Sequence, residues 1–291
     1  MSESTDEDYC LAQVRRFDRD RYLTALFAKG PDRADLLALF AFNIEVARTR
    51  ELVREPMMGL IRLQWWRDAI AEIYAGQGRR HQVAQPLAAA IRRHQLSQRH
   101  FERLLEARES DLESGPPRDL AALLGYAEGT SASLIWLTLE VLAGGRQPPA
   151  SDVQSAARQA AMASALAGLL RAVPFHARGR RVMLPQTIMA EVGLNESELF
   201  ELKASLALSA AVRAVAGQAR QYLDSMGLDR LVLPRRLRPA FLPAVMAADD
   251  LRRLERAGFN PFDPSVQQSP PWRIWRLVPA GLFGRFRVTR D

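Results

Sequence analysis

Between Leu36 and Val53 the apolar residues Leu36, Phe40, Phe42, Val46, Leu52 and Val53 recur at steps of roughly three to four, the ~3.6-residue period of a helix with one buried side. No stretch shows the period-two alternation of a half-buried strand, and no tandem repeat or low-complexity block intervenes. The chain therefore reads as all-α. Pro56 cannot continue the first long helix and biases Glu55 towards extended geometry. Further helices are predicted at about 57–75, 86–94, 97–112, 120–142, 152–173 and 196–224. Ser97 is a plausible N-cap, and the run PFHARGRRVMLPQ forms an irregular turn. A mobile tail is expected over 1–16, with the first helix near 18–28. One helical domain over 17–265, arranged around a central cavity, and a basic aromatic tail over 266–291 complete the expected organisation.

Composition narrows the partners. A chain of 291 residues with 48% apolar content can bury a sizeable core. A net charge of +7 and a pI near 10.2 suit anionic partners. Of the 40 basic residues, 38 are Arg and only Lys29 and Lys203 are Lys, a skew that coding bias produces as readily as function. The arginines are scattered and accompany no recognition motif, so nucleic acid is not an expected partner. Cys10 is the single cysteine, which excludes an internal disulfide and a Cys-rich zinc site. The start MSESTDEDY is unlike a leader, and no run is expected to supply the ~18 apolar residues of a membrane span. The expected location is cytoplasmic, with peripheral contact at the inner face of the membrane.

The run FAFNIEVARTRE, followed by LQWWRDAIAEIYAG, resembles the first signature helix of squalene and phytoene synthases, with its pattern Y-A-F-C-R-x-x-D-D-x-x-D. Phe40 takes the Tyr place, Asn43 the Cys place, and Ala47 and Glu51 the two metal-binding Asp places. A register shifted by three residues puts Arg50 and Arg54 at the Asp places instead. Residues four apart share a helix face, so an Asp pair there would aim two carboxylates at one Mg²⁺. Neither register supplies that pair. On such a helix Glu51 pairs with Arg48 or Arg54 more readily than it binds a ligand.

A second run, LLRAVPFHARGRRVMLPQ, resembles the family signature N-I-L-R-D-V-x-x-D-x-x-x-G-R-x-Y-L-P, retaining Leu170-Arg171, Val173, Gly179-Arg180 and Leu184-Pro185 or nearly so. Its aspartates fall at Ala172 and His176, and the upstream Gln and Asn at Ala165 and Gly168. Arg171, Arg178, Arg180 and Arg181 remain as candidates for holding a phosphate without metal. A third run, YAEGTSASLIWLTLEVLAG, resembles the family helix Y-x-x-x-V-A-G-x-V-G. Tyr126, Thr130, Ser133 and Ile135 are its candidate pocket-lining residues, with Ile135 at the last Gly place. Small residues there also serve plain helix packing.

The resemblance implies an isoprenoid-synthase-like bundle. It also implies head-to-head prenyl transfer from farnesyl or geranylgeranyl diphosphate, in which Mg²⁺ clamped by two carboxylate clusters neutralises the departing diphosphate. With both Asp-rich motifs replaced, no catalytic residue, metal ligand or cofactor is expected. Mg²⁺ enters only if the prenyltransferase alternative holds. The details, including the late NPFDPSVQQ, are similar to one branch of the family, that of the mitochondrial complex I assembly factor 6 and its bacterial relatives. That branch implies a non-catalytic assembly protein with complex I subunits or assembly intermediates as partners and an isoprenoid or phospholipid as possible ligand. Asp68 and Glu72, four apart, are a displaced candidate for a metal pair, and Trp65 and Trp66 are expected to pack, one inward and one at the surface. In the C-terminal tail Trp272, Trp275, Phe283 and Phe286 lie among arginines, a composition suited to a membrane interface. Pro279, Gly281 and Gly284 argue there against one long amphipathic helix.

Overall fold

The computed structural model describes residues 5–113, 115–144, 149–228, 231–268 and 272–288. Among these the regular structure is helical, with no strand, as the apolar periodicity predicts. The chain divides into two compact units, each built from three segments. Met1–Glu113, Ala132–Gln154 and Val232–Ala240 form the first, and Ser114–Ser131, Ser155–Leu231 and Phe241–Asp291 the second. This partition differs from the expected single domain between two tails.

Helix α1 (Asp6–Phe17) lies within the stretch read as a mobile tail. Thr5 closes a capping box: its Oγ1 accepts from the Asp8 N–H at 3.2 Å, and Asp8 Oδ2 accepts from the Thr5 N–H at 3.1 Å. Two donors that a helix start leaves open are thereby satisfied. Cys10 and Val14, four apart, are buried. The acidic run is thus the capped start of a docked helix, where negative charge suits the dipole. Asp18 then caps α2 (Arg19–Ala25) by accepting from the Arg21 N–H at 3.1 Å.

Helix α3 (Gly30–Ala47) carries Pro31 in its first turn, where a missing N–H costs little. Every residue from Leu36 to Ile44 is buried, so this helix is enclosed on all sides and is the core of its unit. Arg48 interrupts it with φ −90° and ψ 4° before α4 (Thr49–Leu52) and α5 (Pro56–Tyr74). Helices α6 (Ala84–His94) and α7 (Gln98–Glu109) follow. The Phe42 ring meets Trp66 at 5.1 Å and Phe101 at 5.4 Å, both edge-on, which ties α3 to α5 and α7. Trp66 is buried as expected, whereas Trp65, expected at the surface, is half-buried against the His81 ring at 5.1 Å. A Cβ on Gly59 would stand 2.5 Å from Leu112 Cδ2, so a larger residue there would force the Leu112 side chain to shift where α5 approaches the turn Ser110–Leu112.

Helix α8 (Leu120–Ala127) runs into a π turn, Glu128–Ala132, and α9 (Ser133–Ala143) continues from it. Contrary to the expectation from sequence, Leu120–Ala143 is apolar and long enough to cross a membrane by length and composition alone, at 24 residues and mean hydropathy 1.2. Buried side chains such as Leu123, Leu137 and Leu142 give it the character of a core helix. In the first unit α9 packs on α3, α6 and α7. Ser97 precedes α7 as predicted, yet its hydroxyl does not cap. It donates to Glu140 Oε1 at 2.5 Å, and its N–H donates to Glu140 Oε2 at 2.8 Å.

The second unit takes most of α10 (Ser151–Arg171) and all of α11 (Val173–Arg178), which occupies the expected irregular turn. Pro174 sits in the first turn of α11, so it opens a new helix as well as ending the old one. The helix predicted over 196–224 is two, α13 (Glu196–Phe200) and α14 (Leu206–Asp224), preceded by α12 (Gln186–Glu191). Between them Leu202 takes φ +56°, which no helix continues through. Helix α15 (Leu242–Arg256) packs on α14, on α16 (Pro264–Gln267) and on α17 (Arg273–Phe283). The segment read as a C-terminal tail therefore holds a docked helix. It accommodates Pro279 and ends at Gly284 with φ +72°.

Candidate functional site

The first motif does not form one continuous helix line. Asn43 is buried in α3 and Ala47 ends that helix, while Glu51 lies beyond the break at Arg48. The Glu51 carboxylate is exposed and accepts from Arg48 Nε at 3.1 Å, the local pairing expected for it. In the shifted register Arg50 is committed elsewhere, its Nη1 donating to the carbonyls of Asp111 at 2.9 Å and Glu113 at 3.1 Å. The displaced pair Asp68 and Glu72 is answered by Arg79, which donates to both Glu72 oxygens at 2.6 and 2.7 Å and approaches Asp68 at 4.0 Å. That hydrogen bonding holds the Glu72 carboxyl below its ordinary range.

In the second motif Ala165 and Gly168 are half-exposed in α10, where a Cβ on Gly168 would meet nothing within 4 Å, and half-exposed Ala172 follows as the N-cap residue of α11. His176 is half-buried one turn on, in α11. The four candidate arginines have different surroundings. Arg171 Nη1 donates to Asp250 Oδ2 at 2.8 Å. Arg180, at φ +49°, lays its guanidinium 4.8 Å from the Phe200 ring centroid. Arg178 is exposed and Arg181 half-buried.

Sequence reasoning missed the acids that answer these charges. Asp250 is buried in α15, with Oδ1 and Oδ2 accepting from Arg273 Nη1 and Nη2 at 2.7 and 2.8 Å as well as from Arg171. Neighbouring Asp249 pairs with Arg276 and, at 2.9 Å, with Arg253. Adjacent aspartates in a segment facing the W-R-I-W-R run were the available signal. Asp250 thus joins the second-motif helix to α17 through two guanidiniums. A phosphate at Arg171 would have to compete with a buried carboxylate.

Of the third motif, Thr130 is buried and its Oγ1 donates to the Tyr126 carbonyl at 2.7 Å; Tyr126 itself is half-buried. Ser133 and Ile135 are buried in α9. None of these four lines either of two open cavities within the first unit. One, of about 410 Å³, has Val53, Met58, Ile61 and Trp65 over the Glu45–Arg62 ion pair. The other, of about 310 Å³, is lined by His94, His100, Trp136 and Glu140 among others. His100 stacks on Trp136 at 6.2 Å. Burial, helped by Arg99 and Arg103, lowers its proton affinity to a pKa of about 4, so the ring is neutral at pH 7. Among the described residues no group of three or more His, Cys, Asp or Glu comes together to hold a metal ion.

The architecture is that of the isoprenoid synthases. A dehydrosqualene synthase crystal structure superimposes with a TM-score of 0.78 over 95% of both chains, at 17% identity. The squalene/phytoene synthase family model matches residues 14–276, and this chain belongs to that family. Over 97% of its length the chain is 32% identical to the NADH dehydrogenase (ubiquinone) complex I assembly factor 6 of Bos taurus, covering 82% of that protein. The human protein of the same name is 32% identical over 90% of this chain and 78% of its own.

Proposed function

We propose that this chain uses the synthase fold as a non-catalytic binding and assembly protein, and that its client is the respiratory NADH dehydrogenase, complex I, or an intermediate in its assembly. The observation that carries the reading is the similarity to complex I assembly factor 6 along nearly the whole chain. The chemistry of the motif faces supports it. At the places where the resemblance puts paired carboxylates the sequence has Ala47, Ala172 and His176, and the remaining acid, Glu51, is paired to Arg48. A hard divalent cation needs several oxygen ligands, and diphosphate departure needs that cation's charge.

Deletion in the parent cells, followed by native-gel measurement of assembled complex I, tests the reading. The expected result is less assembled complex, restored equally by the wild-type chain and by Glu51→Ala. Purified protein given Mg²⁺ and farnesyl diphosphate should release no pyrophosphate above background. Unchanged complex I on deletion, or pyrophosphate release that disappears in Glu51→Ala, would overturn it.

A further inference from the structure

The strongest unexplained surface is the outer side of α17. Its inner side is locked: Arg273 makes two hydrogen bonds to Asp250, and Leu277 and Ala280 are buried where the helix packs on α15. Trp272, Trp275, Pro279, Leu282 and Phe283 follow one another at helical spacing on the other side, and the four large apolar residues among them are between 42% and 71% exposed. Exposed arginines stand beside them, Arg285 and Arg287 following directly after the helix. From Pro264 to Arg290 the sequence contains five arginines and no acidic residue.

We propose that this face of α17 docks on the surface of a bilayer containing anionic phospholipid, with the helix lying in the plane of the interface. Charge decides the occupant. An apolar row that leads into the exposed Arg285 and Arg287, in a segment with no acid of its own while Arg273 and Arg276 are answered by Asp250 and Asp249 of α15, matches acyl chains lined by phosphate headgroups. Indole rings suit the headgroup depth, where an apolar body meets a polar edge. The helix is already folded and held by Asp250, so binding requires no ordering of the segment, and the aromatic side chains are presented in advance. The proposal uses only this surface and is independent of the assembly role.

The test is co-sedimentation of the full chain with phosphatidylcholine vesicles, with and without phosphatidylglycerol, over a range of salt. Wild type should bind the anionic vesicles, less so at high salt, with its tryptophan emission quenched by brominated lipid. The double variant Trp275→Ala/Phe283→Ala changes only exposed side chains, so its circular dichroism and melting should match wild type while binding falls about tenfold or more. Arg285→Glu/Arg287→Glu should remove the preference for anionic lipid. Equal binding by wild type and the aromatic variant, no dependence on phosphatidylglycerol, or absence of vesicle binding would each overturn the proposal. Retained complex I assembly alongside absent vesicle binding would dispose of the docking face while leaving the assembly role intact.

Discussion

Asp250→Asn is the sharpest probe of how the second unit is held. The substitution keeps size and shape but replaces an anion that serves two guanidiniums with an amide that accepts through one oxygen. Arg273, whose side chain is only 4% exposed, loses the anion that matches its fork at 2.7 and 2.8 Å. It then faces an NH₂ group where it met an oxygen. Breaking one partner of a buried ion pair costs about 3–5 kcal/mol, because the remaining charge stays desolvated. Arg171 is more exposed and can turn towards water, so the lower end, about 3 kcal/mol, is the better estimate. At roughly 2–4 °C per kcal/mol for a chain of this size, the melting midpoint should fall by about 6–12 °C. The matched control is Arg276→Gln: its side chain is 44% exposed and Asp249 keeps Arg253, so less than about 1 kcal/mol should be lost. Thermal melts and urea titrations of the three proteins read this directly. An Asp250→Asn midpoint indistinguishable from wild type, or an equal loss in Arg276→Gln, would refute the assignment of Asp250 as the buried anchor of α17.

Two further outcomes follow from buried titrating groups. His100 has its pKa lowered from 6.5 to about 4 by burial, with Arg99 and Arg103 adding. The unfolded chain therefore takes up this proton before the folded one, and stability falls as pH drops from about 6.5 to 4. His100→Gln should flatten that slope by roughly 2–3 kcal/mol in urea titrations, and parallel curves would rule the effect out. The Cys10 thiol is pushed up to about 12 by burial and by Asp6 and Glu7, and its Sγ donates to the Gln82 carbonyl at 3.6 Å. It should resist thiol reagents at pH 8 until denaturant is added, and rapid labelling of native protein would show that α1 opens.

The apolar spacing implies one buried side for α3, whereas every residue from Leu36 to Ile44 is buried; its helical character was legible. Interactions between distant chain segments were not. Arg171 and Asp250 are 79 positions apart and Arg273 lies 23 further on, so no local spacing announces the triad. The alignment of Asn43, Ala47 and Glu51 assumed an unbroken helix, and one residue, Arg48, turns the chain out of that line. The start of the chain misled for the opposite reason. It reads as a mobile tail over 1–16, although Thr5 and Asp8 form a reciprocal cap and Cys10 and Val14 are buried where α1 packs on α3.

The carboxylates near the motif segments share a property that bears on mechanism. Glu51 is paired with Arg48, Glu45 with Arg62, Glu72 with Arg79, and Asp250 with Arg171 and Arg273. A divalent cation entering any of these places would have to displace a guanidinium already hydrogen-bonded to the oxygens it needs. The displaced Arg would then sit as a like charge beside the metal. A face that ionises a diphosphate requires carboxylates preorganised for a cation, whereas these carboxylates each accept from an arginine, two of them locally and Asp250 between α10 and α17. Arg273 and Arg276 fix α17 to α15 through Asp250 and Asp249, so in the second unit charge is used for attachment, with the aromatic side of α17 turned outward. Such attachment supports the proposed binding and assembly role, in which the chain offers surfaces to a partner.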